Sequence, residues 1–220
     1  MDTTAPNAPS KAADTAKDDP PLVLLDLPLP FIPKAAIFDC DGTLADTMPL
    51  HYAAWREVLD LVGAPLPVFP VEQFYAWGGV TAKEILHRLN TIHGLHLDTE
   101  AVAHRKEMAY RQQIPTVRPI EKVVAEARRF YGVCPIAVAS GGMRMLVQET
   151  LETIGVGDLF EIVVGSEDVK DGKPAPEVFL TAAARLGVDP ADCIVYEDAP
   201  AGLEAARRAG MRAVNVVDYL

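Results

Sequence analysis

The fold of this chain is decided by the stretch Ala35-Ala36-Ile37-Phe38-Asp39-Cys40-Asp41-Gly42-Thr43-Leu44. Its first four residues form a short apolar run, typical of a buried strand, and the carboxylates Asp39 and Asp41 follow that run directly. Four similar apolar runs occur further along the chain, at residues 135–139, 161–164, 193–196 and 213–217. Stretches with helical spacing separate them, at residues 120–131, 143–154, 177–186 and 202–209. Strands that alternate with helices predict an α/β fold, with a doubly wound parallel sheet that helices cover on both faces.

One region interrupts the alternation. Between Asp46 and Arg118 the pattern predicts helices only, at residues 48–61, 81–92 and 99–113. A helical insertion directly after the first strand would form a cap over the carboxyl edge of the sheet, where functional residues of such sheets collect. We therefore expect a catalytic core made of residues 34–46 and 118–220, with an inserted helical cap at residues 47–117.

The first 33 residues differ from the rest in composition. They are rich in Ala, Pro, Asp and Thr, and five of their prolines would block a continuous helix or a central strand: Pro20, Pro21, Pro28, Pro30 and Pro33. We expect residues 1–33 to form a flexible N-terminal tail without a catalytic role.

The charge of the chain excludes some classes of partner. Its formal net charge is -11, from 20 basic and 31 acidic side chains. A surface of this sign repels nucleic-acid phosphates and anionic lipid, so it disfavours nucleic acid and membranes as partners. It also repels an anionic substrate, so any phosphate-binding site must be locally positive.

The cysteines and the hydropathy suggest a location. Cys40, Cys134 and Cys193 are far apart, so neither a disulfide framework nor a zinc site is predicted, and a reducing cytoplasm fits best. No run approaches the ~20 apolar residues that a membrane span requires. The N-terminus lacks the basic and apolar segments of a secretion signal. We expect a cytoplasmic chain that is a monomer or a weak homodimer.

Residues that could take part in a chemical reaction follow four of the predicted strands. They are Asp39 with Asp41, Ser140 with Gly141, Lys173 in a loop after the third strand, and the pair Glu197-Asp198. Strand ends of a parallel sheet converge, so several carboxylates, a lysine and a serine should meet at one edge. Such a collection of charge is costly unless something binds there.

These residue types suit phosphoryl transfer. Asp39 and Asp198, with a backbone oxygen and water, offer the oxygen ligands that Mg²⁺ prefers. Asp39 can act as a nucleophile and form an aspartyl-phosphate, while Asp41 protonates the leaving oxygen and later activates water. Lys173 adds positive charge, and the Ser140 hydroxyl can donate to a phosphoryl oxygen.

The motifs resemble those of the haloacid dehalogenase superfamily. Motif I corresponds to residues 37–44, and motifs II, III and IV correspond to Ser140, to residues 172–177 and to residues 197–202. The resemblance covers roughly residues 35 to 217 and implies a Rossmann-like core. It also implies that Asp39, the Asp41 carbonyl and Asp198 bind Mg²⁺. Glu197 would lie beside them, and it is the fourth residue of the candidate metal site.

The cap resembles that of the subgroup containing sugar-phosphate phosphatases and β-phosphoglucomutase. The similarity lies in Asp46-Thr47, His51 and Trp55 at its start, and in the stretch around Lys106. Each cap residue also has a plainer interpretation: His51 as a core or surface histidine, Trp55 as a packing residue, and Lys106 on a solvated helix face. The candidate substrate-binding residues are Thr43, Gly141, Arg144, His51, Trp55 and Lys106.

Two departures from the mutase pattern favour plain hydrolysis. Ala82 stands where β-phosphoglucomutases have an arginine, and Gly142-Met143-Arg144 replaces their Ser-Lys-Asn loop, although Arg144 could still contact a phosphate. The expected function is Mg²⁺-dependent hydrolysis of a small phosphorylated metabolite, as in bacterial fructose-1-phosphate or 6-phosphogluconate phosphatases. A phosphomutase of the same fold is the alternative, and a non-catalytic phosphometabolite-binding regulatory protein is the alternative from another class.

Overall fold

Five parallel strands form one sheet at the centre of the protein. The computed structural model describes residues 31–64 and 68–220. The strands are β1 (Ala35–Phe38), β2 (Ile136–Ala139), β3 (Ile162–Val164), β4 (Cys193–Glu197) and β5 (Arg212–Asn215). Their order across the sheet is β3-β2-β1-β4-β5, and every neighbouring pair is parallel. The predicted doubly wound α/β fold is therefore confirmed.

Helices cover both faces of the sheet. They are α5 (Glu121–Phe130) and α6 (Arg144–Thr153) on one face, and α7 (Glu177–Leu186) and α8 (Pro200–Arg208) on the other. Side chains alternate along each strand, so Phe38 packs toward the first pair of helices and Ile37 toward the second. Because both faces are covered, β1, β2 and β3 are continuous apolar runs without polar alternation, whereas the edge strand β5 begins with the exposed Arg212.

A group of four helices is inserted between β1 and α5. They are α1 (Met48–Leu61), α2 (Val71–Ala76), α3 (Ala82–His93) and α4 (Thr99–Arg111). Their apolar faces form a second core around Trp55, Leu86 and Tyr110, and Leu146 of α6 joins it from below. The predicted cap, residues 47–117, brackets these four helices. Helix α2 was not predicted.

Short 3₁₀ helices complete the described part of the chain. They are Ile114–Thr116, Gly157–Leu159, Ser166–Asp168, Pro190–Asp192 and Val216–Tyr219. Most of the predicted tail, residues 1–30, lies outside the described residues. Phe31, the first described residue of that predicted tail, packs against the core, with the Arg212 guanidinium 4.0 Å from its ring centroid.

The predictions about thiols and membranes can be compared with the structure. All three cysteines are free; Cys40 and Cys193 are buried, and Cys134 is partly buried. Within residues 31–64 and 68–220, no helix has both the length and the apolar character needed to cross a membrane.

Candidate active site

The candidate site lies where the order of the strands reverses. The chain runs from β1 to β2 and β3 on one side, then returns to place β4 on the other side of β1. In open α/β sheets, ligands bind in the crevice at the carboxyl ends of the strands flanking such a switch point. Asp39 directly follows β1, and Glu197 and Asp198 lie at the end of β4. The Asp39 N–H donates to the Tyr196 carbonyl at 2.9 Å, which holds the two strand ends together.

Lys173 is the positive charge at the centre of the site. Its ammonium donates to Asp39 Oδ1 at 2.6 Å and to Glu197 Oε2 at 2.7 Å, and its side chain is fully buried. Burial alone would lower the pKa of Lys173, but the charges of Asp39 and Glu197 outweigh it and raise that pKa. The lysine is therefore permanently charged, and it supplies part of the positive charge that the acidic composition requires at this site.

The carboxylates still outnumber the lysine. Burial and the charge of Glu197 raise the pKa of Asp39, even though Lys173 opposes the shift. The same two causes raise the pKa of Asp198 to about 7, although the Thr43 hydroxyl donates to its Oδ1 at 3.0 Å. Two neighbouring acids that resist ionisation indicate negative charge that the described side chains do not neutralise.

This donor set fits a hard divalent cation. One oxygen from each of Asp39, Glu197 and Asp198 lies within 4.8 Å of the others. Carboxylate oxygens are the ligands of Mg²⁺, and its charge would relieve the repulsion between them. Gly42 makes the close approach possible: its φ is +87°, and a Cβ on it would collide with the Asp198 carboxylate.

Asp39 and Asp198 are better placed to hold the cation than Glu197. Both oxygens of Glu197 already accept hydrogen bonds, one from Lys173 and the other from the Ala199 N–H at 3.0 Å. Glu197, which we also predicted as a ligand, thus orients Lys173 and the turn into α8. The Asp41 carbonyl as a further ligand stays a prediction.

Asp41 is held by donors from both the core and the cap. Its Oδ1 accepts from the Thr47 hydroxyl at 2.7 Å and lies 3.1 Å from His51 Nε2, and its Oδ2 accepts from the Ser140 hydroxyl at 3.3 Å. Burial would raise the pKa of Asp41, but His51 and the hydrogen bond from Thr47 lower it below its usual value. Asp41 thus rests as a carboxylate, and its Oδ2 accepts only the long hydrogen bond from Ser140 among the described residues.

The state of His51 follows from its second neighbour. Lys106 Nζ lies 2.8 Å from His51 Nδ1, and a lysine ammonium can only donate. Nδ1 must therefore be the acceptor, so Nε2 carries the proton and donates it to Asp41. The His51 ring stacks on Tyr110, with centroids 3.7 Å apart, and this contact fixes its plane. His51 and Lys106 are both buried, so the plainer interpretation of Lys106 as a solvated residue is wrong.

The remaining predicted residues fall into two groups. Ser140, Gly141, His51, Trp55 and Lys106 all line the pocket above Asp39 and Asp41. Thr43 and Arg144 do not line it. Thr43 is fully buried and donates to Asp198. The Arg144 guanidinium donates to Asp168 Oδ1 at 2.8 Å, so the structure does not place it at a phosphate site.

The pocket has two chemically different walls. The core side presents the carboxylates and the Ser140–Gly142 loop, whereas the cap side is mostly apolar and includes Trp55, Phe74, Trp77 and Ile85. The sequence analysis did not single out Phe74, Trp77 or Glu107, which also line the pocket. Phe74 and Trp77 were missed together with α2. The sequence offered one indication that Glu107 lines the pocket, namely its position next to Lys106.

Comparisons with known proteins identify the family of this chain. A family model described as haloacid dehalogenase-like hydrolase matches residues 33–210. Fructose-1-phosphate phosphatase YqaB of Escherichia coli is 38% identical over 181 residues, which is 82% of this chain and 94% of that protein. β-Phosphoglucomutase of Bacillus subtilis is 31% identical over 192 residues, 83% of each chain. The crystal structure of β-phosphoglucomutase from Clostridium difficile superposes with a TM-score of 0.71 at 27% identity, over 83% of each chain. The chain therefore belongs to the haloacid dehalogenase-like hydrolase family.

Proposed function

We propose that this protein is a Mg²⁺-dependent phosphatase that hydrolyses a sugar phosphate through an aspartyl-phosphate on Asp39. The observation that carries the proposal is the contrast between two aspartates at one strand end. Asp39 is buried against Lys173, while Asp41 is held by donors from the core and the cap. Two carboxylates in different environments can take the different roles that the reaction requires.

The broader class rests on the comparisons. The family match and relatives named as phosphatases bear out the prediction of a phosphoric monoester hydrolase. The relatives named after sugar phosphates, fructose-1-phosphate phosphatase and β-phosphoglucomutase, support a phosphorylated sugar as the substrate.

The first step transfers the phosphoryl group to Asp39. A carboxylate oxygen of Asp39 attacks phosphorus, and the bond from phosphorus to the ester oxygen breaks. Lys173 holds Asp39 Oδ1, so it orients the carboxylate and offsets the charge of the incoming phosphate. Because Asp41 rests as a carboxylate, it must first take a proton from water or from a phosphate monoanion, and Oδ2 is the oxygen that would carry it, since Oδ1 already has two donors. That proton then passes to the leaving oxygen, and the proton that Asp41 removes from water in the second step restores the acid for the next turnover. When bound by Asp39 and Asp198, Mg²⁺ supplies the positive charge that lets a phosphate dianion approach a carboxylate.

The second step releases phosphate. Asp41, now a carboxylate, removes a proton from water, whose oxygen attacks phosphorus as the bond to Asp39 breaks. The low pKa of Asp41 suits this step, since the base must be ionised. His51 and Thr47 keep the carboxylate aimed into the pocket and add no proton of their own.

Hydrolysis is better supported than a mutase reaction. A mutase must also hold a second phosphate, but Ala82, Gly142 and Met143 offer no charge for it. Arg144 is already paired with Asp168. Pure binding is less well supported than either reaction, because a nucleophile beside an acid/base residue serves no purpose in it.

The test is phosphate release from a panel of sugar phosphates, with Mg²⁺ and with EDTA. We expect release with Mg²⁺ only, and a loss of at least about 1,000-fold in Asp39→Asn with the circular dichroism spectrum unchanged. Asp60→Asn, on the exposed face of α1, serves as the matched control. Turnover retained in Asp39→Asn would rule out the covalent mechanism. Conversion of β-glucose 1-phosphate to glucose 6-phosphate, without phosphate release, would identify a mutase instead.

A further inference from the structure

Glu107 is a buried carboxylate that the proposed mechanism does not use. It lies on α4 beside Lys106, and its side chain is 11% exposed. It lines the pocket above Asp39, and it also lines a neighbouring cavity of 470 Å³ between the cap and the core. Ala82 and Gly141 likewise border both spaces, so the cavity continues the pocket. The leaving group of a bound phosphate ester would extend past Glu107 into this cavity.

One oxygen of Glu107 has no partner among the described residues. Oε1 accepts from Lys106 Nζ at 3.2 Å, whereas Oε2 accepts from no residue in the ranges 31–64 and 68–220. A carboxylate with so little exposed surface gains from further hydrogen-bond donors. A donor to Oε2 must enter from the cavity, either as water or as a group of the ligand that displaces water, and sugar hydroxyls are donors of the right kind.

The charges around the cavity disfavour a second anion. Glu100 and Glu167 line it along with Glu107, giving three carboxylates against the ammonium groups of Lys83 and Lys170. Lys83 is engaged by Glu100 at 2.7 Å. The first N–H of α6, at Arg144, donates to the Glu167 carboxylate at 3.1 Å, so this helix terminus is already taken.

We propose that Glu107 determines the leaving-group specificity of the enzyme. Its free oxygen accepts a hydrogen bond from a hydroxyl of an uncharged polyol, and its charge disfavours a leaving group with a carboxylate or a second phosphate. This inference rests on the proposed phosphatase function. It assigns the substrate to the phosphate monoesters of neutral sugars or sugar alcohols.

The experiment compares two substrates with one phosphate and one carbon skeleton. Glucitol 6-phosphate ends in a hydroxymethyl group, and 6-phosphogluconate ends in a carboxylate at the same carbon. In the wild type we expect kcat/KM to favour glucitol 6-phosphate by at least about tenfold, the size of a modest like-charge penalty. In Glu107→Gln this preference should fall at least about fivefold, mainly through KM, because the amide keeps an acceptor but loses the charge.

A third substrate separates specificity from a positioning effect. p-Nitrophenyl phosphate has no hydroxyl on its leaving group, so its kcat/KM should change less than about twofold in Glu107→Gln. If Glu107 served only to hold Lys106, and through it His51 and Asp41, all three substrates would lose activity by the same factor. That uniform loss would overturn the proposal. Glu57→Gln, an exposed carboxylate on α1, is the matched control and should alter none of the three.

The wild-type enzyme alone can also decide the question. Equal kcat/KM values for glucitol 6-phosphate and 6-phosphogluconate, or a preference for the acid, would overturn the role of Glu107 while leaving the phosphatase intact. Failure to release phosphate from all three esters would instead overturn the phosphatase proposal, and the specificity proposal with it.

Discussion

Lys173 is the residue whose removal the site should tolerate least. It is fully buried, and it is the one cation in hydrogen-bond contact with Asp39 and Glu197 among the described residues. Its ammonium also lies 5.0 Å from the Phe179 ring centroid, so an aromatic ring covers it on that side. A buried ion pair adds little net stability as a whole, but breaking it by removing one partner leaves uncompensated charge.

We therefore expect Lys173→Met to lower the free energy of unfolding by about 3–5 kcal/mol in EDTA, as well as abolishing turnover. Urea denaturation followed by circular dichroism measures the first effect. The control is Lys170→Met, an exposed lysine of the same loop, which should change the stability by less than about 0.5 kcal/mol. An unchanged midpoint in Lys173→Met would show that Asp39 and Glu197 are compensated by something other than this lysine.

The sequence predicts the position of a single side chain best where that residue directly follows a strand. Asp39 and Asp198 follow apolar runs, so their meeting at one edge could be predicted. Thr43 and Arg144 were placed less well, because their roles depend on the side-chain partners Asp198 and Asp168. The contact of Lys106 with His51 joins residues 55 positions apart, and only the packing of α4 against α1 creates it.

The helices and strands were largely predictable because their apolar spacing is long and regular. The structure has α1 at Met48–Leu61 and α7 at Glu177–Leu186, the ranges expected from the sequence. Helix α2 has only six residues, too few for a periodic pattern to stand out, and its one buried residue is Phe74. Tertiary packing against α1 stabilises it, and no local signal predicts that.

The contact between the cap and the loop after β2 depends on the glycine at position 141, which has no side chain. A Cβ on Gly141 would lie 2.7 Å from the backbone carbonyl of Gly79, in the loop before α3. Gly141→Ala should push this cap loop away from the site and lower kcat/KM by about 10- to 100-fold, with little change in stability. Gly142→Ala is the comparison, since its Cβ would meet only side chains, at 3.4 Å or more, and its effect should be smaller. Equal effects of the two variants would argue against the backbone contact.

The packing of α5 on β4 includes a carboxylate that destabilises the fold when ionised. Glu126 is buried and accepts from the Tyr196 hydroxyl at 3.4 Å, and burial raises its pKa above the ordinary 4.5. The folded state thus holds the proton more tightly than the unfolded state. The contribution of Glu126 to the stability should therefore fall as the pH rises from the ordinary pKa of glutamate through the raised value.

Glu126→Gln removes that titration while keeping the shape and an acceptor for Tyr196. We expect the variant to gain stability relative to the wild type as the pH is raised from 4 to 8, measured by urea denaturation at both values. Glu152→Gln, an exposed carboxylate on α6, should show no such dependence on pH. A difference between Glu126→Gln and the wild type that is the same at both pH values would contradict the burial argument.

For the molecule as a whole, the question is how a chain of net charge -11 binds an anion. The general surface repels phosphate, so attraction must be confined to the pocket. Lys106 lines its cap side, Lys173 lies buried behind Asp39, and a cation held by Asp39 and Asp198 would add two charges. The cap lines that pocket with apolar side chains such as Trp55 and Ile85. A low dielectric then strengthens the few positive charges at short range.

Cation binding should therefore stabilise the entire fold, because it removes repulsion from the junction of β1 and β4. At about 100 times its dissociation constant, Mg²⁺ should raise the melting temperature of the wild type by roughly 5–10 °C. Asp198→Asn should be at least as stable as the wild type in EDTA, since it loses one crowded carboxylate, but it should respond little to Mg²⁺. NaCl at equal ionic strength controls for general screening. An equal rise in both proteins would mean that Mg²⁺ acts elsewhere on the acidic surface, whereas a rise confined to the wild type would locate its effect at this strand junction.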